Sequence, residues 1–195
     1  MVSNFRPPSY GGKGMRIHVL GPTGTDSERA ARHWSHPLKT PVSIEFWPSY
    51  TELFRSFADV SGDHIVMPAG YVDRTEETSW VDLHFGAYAR LALEEVFALP
   101  TMTMAILEQN RFTSESISLQ PATEGLLHAS EQFSGDCPRV YVPSKPIALT
   151  RMLEDKLHYC LTTLPKWSPD EWRTLGVAVK DTFNPTMVWC VYRVR

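Results

Sequence analysis

Side chains able to bind anions or move protons gather in a few short stretches of the 195 residues. In "LGPTGTDSERAARHW", which begins at Leu20, Thr25, Asp26, Ser27 and Glu28 follow a glycine turn and open an amphipathic pattern. This order fits a capping box, in which the Thr25 hydroxyl satisfies an orphan helix N–H and Glu28 reaches back. It also fits an anion site. Gly21 and Gly24 let the backbone approach a ligand, and spare N–H groups at a helix N-terminus bind carboxylates or phosphates. "WVDLHF" sets His84 two residues from Asp82, on one face of an expected strand. That pairing suits proton delivery, and a structural histidine is the plain alternative. Arg74 in a polar loop and Lys145 after Ser144 are cations for carboxylates, or else solvated surface charges. In "TMVWC", Thr186 offers a neutral hydroxyl, while Met187 and Trp189 offer an apolar wall or simple core. The seven histidines form no H-E-x-x-H and no Cys/His cluster of the right spacing, so no metal is expected.

The elements that must position these groups are legible from period and punctuation. "MRIHVLG", "VSIEFW" and "HIVMP" read as strands, and the helix at about Ser27 to Trp34 lies between the first two. "YTELFRSFADV" puts Leu53, Phe54 and Phe57 on one helical face. Strand, helix, strand, helix, strand predicts a parallel sheet with covering helices. "WVDLHF" and "EEVFALPTMTMAIL" read as strands joining a second sheet. "SISLQP", "RVYVP" and "HYCLTTLP" are further strands, and "ATEGLLHASEQF" and "IALTRMLEDKL" are helices. The closing strand "TMVWCVYRV" carries Thr186, Val188, Cys190 and Tyr192 on one face and Met187, Trp189, Val191 and Arg193 on the other. The expected organisation is an α/β fold of two lobes with a ligand cleft between them. Residues 1–14 form a flexible lead-in, 15–98 with 167–195 the first lobe, and 99–166 the second.

A formal net charge of −3 without a basic stripe argues against a nucleic-acid partner. No apolar run approaches a membrane span, and the N-terminal stretch has no signal-peptide core. Cys137, Cys160 and Cys190 are odd in number and widely spaced, as expected for free thiols in a reducing cytoplasm.

"LGPTGTDSERAA" resembles the opening motif of the prephenate dehydratases, close to L-G-P-x-G-T-F-S-x-x-A-A. The likeness continues in order. "HIVMPAGYV" stands where the family has V-P-I-E-N-S, "SLQPATEGL" where it has S-H-P-Q-A-L, and "VPSKPIAL" near its S-T-A segment. "LGVAVKDTFNPTMVW" is similar to its ending, Y-G-L and then an acid with N-x-T-R-F. The resemblance spans Gly21 to Val194 and leaves no residues for a regulatory ACT domain. It implies the dehydratase catalytic-domain fold, similar to type 2 periplasmic binding proteins, and hints at a homodimer. Two departures bear on chemistry: Gly70-Tyr71-Val72 replaces E-N-S, and Thr186-Met187-Val188 replaces T-R-F. A dehydratase needs polar groups to help hydroxide leave. Their reduction, with "GPTGTDS", "AGYVDR" and "PTMVWC", resembles the non-aromatizing prephenate decarboxylase branch.

The resemblance implies cofactor-independent loss of CO2 from prephenate with the ring hydroxyl retained, in secondary-metabolite biosynthesis of the bacilysin kind. No electron sink is needed, because the ring dienes accept the charge. Thr25, Asp26 and Ser27 are then anchors for the pyruvyl carboxylate, and Lys145 pairs with a carboxylate. Arg74 binds the ring carboxylate, Thr186 holds the carbinol, Met187 keeps the pocket dry and His84 delivers the proton. Two other readings stay open: a dehydratase without a regulatory domain, and a small-molecule sensor that does no chemistry.

Overall fold

The computed structural model describes residues 14–111, 114–133 and 136–195, so the expected lead-in lies, but for Gly14, outside the described residues. Met15, Ile17 and Val19 of β1 (Met15–Leu20) are buried on one face, where Ala30, Ala31 and Trp34 of α1 (Asp26–Ser35) pack against them. β2 (Val42–Trp47) runs parallel to β1, and β3 (His64–Pro68) parallel on its other side. Between them α2 (Tyr50–Arg55) starts at Ser49, whose hydroxyl accepts from the Glu52 N–H at 3.1 Å. Tyr50, Leu53, Phe54 and Phe57 cover the opposite face of the sheet. The period-2 alternation of β3 divides its side chains accordingly, with Ile65 and Met67 toward α2 and Val66 toward α1.

β4 (Val72–Asp73) and β5 (Thr78–Ser79) form a short antiparallel ribbon leading into α3 (Trp80–Gly86). This helix occupies "WVDLHF", where a strand was expected. Its cause is local: the Ser79 hydroxyl accepts from the Asp82 N–H at 3.4 Å, and Asp82 accepts from the Ser79 N–H at 2.8 Å. The Ser-x-x-Asp box nucleates a helix even on a segment rich in β-formers. Asp82 and His84 therefore do not share a strand face.

β6 (Leu91–Pro100) returns to the first sheet, antiparallel to the final strand β12 (Thr186–Val194), which also pairs antiparallel with β3. Only the second half of "EEVFALPTMTMAIL" joins the other sheet, as β7 (Met104–Gln109). β8 (Ser114–Leu119), α4 (Gly125–Ala129), β9 (Arg139–Tyr141), α5 (Lys145–Glu154), β10 (Leu157–Thr163), α6 (Pro169–Leu175) and β11 (Val177–Phe183) follow. Among the described residues the main strands form two five-stranded sheets, β2-β1-β3-β12-β6 and β11-β7-β10-β8-β9.

Residues 167–183, expected with the first lobe, belong instead with the second sheet. β11 pairs antiparallel with β7, and Trp172, Leu175 and Val177 join the cluster around Met152 and Cys160. That placement gives the apolar side of α6 a core to pack on, which a strand pattern alone does not specify. The two sheets are joined at 101–103 and 184–185, where the links hold each other. The Thr101 N–H donates to the Pro185 carbonyl at 2.9 Å and the Thr103 hydroxyl to the Asn184 side chain at 2.8 Å.

All three cysteines are buried free thiols. Burial pushes the ionisation of Cys160 upward, away from nucleophile chemistry. Among the described residues no helix is long and apolar enough to cross a membrane.

Candidate functional site

A cavity of about 200 Å³ lies between the two sheets, beside the links. The first lobe contributes Gly21, the opening of α1 and Tyr71; the second contributes Gln120, Pro143 to Pro146 and Thr163. Met187 and Trp189, alternate residues of β12, form an apolar wall, with Gly70 against Met187. A methyl group built on Gly70 would stand 3.5 Å from the Met187 sulfur, an ordinary contact.

Polar atoms on this apolar wall lack partners. Thr25 Oγ1, Thr101 Oγ1, Ser144 Oγ, Thr163 Oγ1 and Trp189 Nε1 are buried without a hydrogen bond, and all five residues line the cavity. A buried hydroxyl or indole N–H left unpaired costs about 1–3 kcal/mol, so their gathering at one cavity marks a place where a polar ligand fits. Two of them are N-cap residues. Thr25 and Ser144 hold extended backbone before α1 and α5, yet neither side chain caps its own helix. Each helix thus presents its positive end and a spare hydroxyl to the cavity, one from each lobe.

The capping box expected at Thr25 does not form, for a visible reason. Glu28 reaches one residue further back and accepts from the Gly24 N–H and the Thr23 hydroxyl, each at 2.7 Å. Those two bonds, helped by the Arg32 guanidinium, lower the Glu28 pKa to about 2. Glu28 braces the turn, and the Thr25 hydroxyl is left over. Ser27 is buried on the lining, so Thr25, Asp26 and Ser27, expected to form an anion site, stand together at one cavity.

Asp26 and Lys145 meet directly. The Lys145 ammonium donates to Asp26 Oδ2, while Oδ1 accepts from Arg29 Nη1 at 2.9 Å and from the Met102 N–H at 2.8 Å. The carboxylate thereby ties α1, the link and α5. Asp26 is already a partner of Lys145 within the chain.

Three expected site residues stand elsewhere. Thr186 is exposed on the face of β12 opposite Met187 and does not line the cavity, because adjacent strand residues point to opposite sides. His84 lies on α3, with Nδ1 at 2.8 Å from the Tyr192 hydroxyl and its ring stacked on Trp80. The helix that replaced the expected strand carries it away from the cavity. Arg74 is exposed beside a smaller cavity that shares Leu20, Tyr71 and Pro143 with the first, its guanidinium 5.7 Å from the centre of the Tyr141 ring. Met187 lines the main cavity as expected.

Sequence reasoning passed over Thr101, Thr163 and Tyr71 as site residues, and gave Ser144 no role of its own. Ser144 had a usable signal: Ser-Lys-Pro before an apolar period marks a helix start, as Thr25 does. Nothing local marks Thr101 or Thr163, which reach the cavity through the links and the second sheet.

No protein-family profile matches the chain, and no curated sequence is similar to it. Solved structures do share its fold. The prephenate dehydratase of Arthrobacter aurescens, solved in complex with L-Phe, is 16% identical with a TM-score of 0.59 over 93% of this chain and 61% of that one. The prephenate dehydratase of Staphylococcus aureus subsp. aureus Mu50 is 17% identical, with a TM-score of 0.53 over 92% and 66%. The periplasmic VFT2 domain of Bordetella pertussis BvgS is 10% identical, with a TM-score of 0.52 over 93% and 80%. The chain spans less than two thirds of the two dehydratase chains. At these identities the likeness is one of fold: two α/β lobes around a cleft, as in prephenate dehydratases and periplasmic binding domains.

Proposed function

We propose that the cavity binds prephenate and that the chain releases CO2 from it while keeping the ring hydroxyl, without cofactor or metal. The observation that carries this reading is the pair of spare N-cap hydroxyls, Thr25 and Ser144, facing one cavity from the positive ends of two helices. Prephenate carries two carboxylates, and two helix N-termini suit two anionic groups. Thr25 and Ser27 hold the pyruvyl carboxylate, and the α5 end receives the other. Met187 and Trp189 keep water from the ring and from the carboxylate that leaves. The hydroxyls of Thr101 and Thr163 and the indole N–H of Trp189 are neutral donors, able to bind the carbinol without driving out hydroxide.

The shared fold with prephenate dehydratases supports the substrate class, and Met187 in place of the family's arginine supports hydroxyl retention. This chemistry belongs to secondary-metabolite biosynthesis of the bacilysin kind, in the cytoplasm.

The test is purified protein, treated with a chelator and incubated with prephenate, then examined promptly by mass analysis and proton NMR. Acid quenching is avoided, because prephenate aromatizes in acid. The expected product is heavier than phenylpyruvate by one water and shows alkene protons. Phenylpyruvate formed faster than in a protein-free control makes the chain a dehydratase. Binding without turnover makes it a sensor.

A further inference from the structure

We infer that Lys145 is the acid that protonates the ring as CO2 leaves, with Asp26 as its positioning residue. The inference rests on the decarboxylase reading above and concerns the group that supplies the proton.

Three titratable side chains line the main cavity among the described residues: Asp26, Tyr71 and Lys145. Tyr71 directs its hydroxyl to Asp73 Oδ2 at 3.2 Å, and burial followed by the Asp73 charge pushes its ionisation up. Its proton is committed elsewhere. Asp26 is the acceptor in all three of its bonds, from Lys145, Arg29 and Met102. Lys145 has protons to give. One ammonium hydrogen goes to Asp26, which leaves two for other partners. Its place is fixed at both ends: the ammonium by Asp26, and the main-chain carbonyl by the Thr162 hydroxyl at 2.7 Å. Next to it, the unpartnered Ser144 hydroxyl is 94% buried at the same wall. The ammonium thus stands where the substrate's anionic groups are received, on a side chain 15% exposed.

The step balances as follows. The bond between the quaternary ring carbon and its carboxylate breaks, and its electron pair becomes a new ring alkene as CO2 departs. The pair of the neighbouring alkene takes a proton from Lys145 Nζ at the carbon beside the carbinol. The neutral amine regains a proton from water, so each turnover consumes one proton and one substrate dianion and yields CO2 and a monoanion. An alkylammonium is a far weaker acid than an imidazolium or a carboxylic acid. It can protonate a carbon that is gaining an electron pair while leaving an alcohol oxygen unprotonated, so the hydroxyl is kept. Asp26 holds the ammonium in place.

The test uses the whole chain, with formation of the hydroxyl-retaining keto acid from prephenate, read by proton NMR, as the assay. Lys145→Arg keeps the cation for Asp26, but a guanidinium does not give up a proton. Its turnover should fall by about 100-fold or more, the scale of a lost general acid. Prephenate affinity, read by calorimetry, and melting temperature should stay near those of the parent. Asp26→Asn should lower kcat by about tenfold or more while KM changes little, because a displaced acid slows the chemical step. Lys145→Arg with turnover close to the parent's, or Asp26→Asn with an unchanged kcat, overturns the assignment and leaves decarboxylation standing. A parent protein that forms none of that keto acid overturns the functional reading and the assignment together.

Discussion

The Tyr192 hydroxyl stands between two side chains of α3, accepting from Trp80 Nε1 at 3.0 Å and meeting His84 Nδ1 at 2.8 Å. Tyr192 is 1% exposed, on the face of β12 turned toward α2 and α3. The three side chains fasten a short helix to the sheet.

Replacing that hydroxyl should therefore cost stability and spare the chemistry. Tyr192→Phe leaves the Trp80 and His84 nitrogens without this partner, at a cost of about 1–3 kcal/mol. Chemical denaturation should show a lower midpoint with the slope unchanged. Turnover of prephenate by the folded fraction should match the parent's. A large fall in turnover at equal foldedness would return His84 to the reacting centre.

The spare hydroxyl of Thr25 makes a prediction opposite in sign to the usual N-cap result. Removing a working N-cap hydroxyl costs typically about 1 kcal/mol. Thr25 makes no such bond, so Thr25→Val should leave the melting temperature level or raise it. Prephenate binding should weaken by roughly tenfold, the loss of one hydrogen bond of about 1.4 kcal/mol. Calorimetry on the same preparations reads both. A destabilised variant with intact affinity would show that the hydroxyl caps the helix after all.

Glu28 links the turn to acid stability. Its folded pKa is lowered from 4.5 to about 2, first by the Gly24 N–H, then by the Thr23 hydroxyl and Arg32. A depressed carboxylate contributes stability that is present above its unfolded value and lost as pH falls through the folded one. Melting curves of the parent and Glu28→Gln should differ at neutral pH and converge between about 4.5 and 2. A difference that persists unchanged at the acid end would assign the effect to packing.

The α3 cap is a fourth case. Ser79 accepts from the Asp82 N–H, and Ser79→Ala should cost about 1 kcal/mol by loss of the cap. Because α3 carries no cavity residue, the affinity for prephenate should not change. A binding defect measured on folded Ser79→Ala would show that α3 is coupled to the cleft.

What the sequence determined by itself was local. The period of "MRIHVL", the helix after it and the two faces of "TMVWCVYRV" were legible, because backbone geometry imposes a repeat of 2 or 3.6 on any segment with one buried face. The helix start at Thr25 to Ser27 was legible for the same reason, since a helix start has a short-range chemical signature. Tertiary structure decided what no local pattern carries. Which sheet edge received β11 depended on where α6 found a core. Whether Thr186 or Met187 faced the cavity depended on which side of β12 the second lobe lies. That Asp26 answers Lys145, 119 residues later, depended on two lobes folding toward each other. Contacts of that span are set by packing between sheets, and a single chain records their ends without recording that they meet.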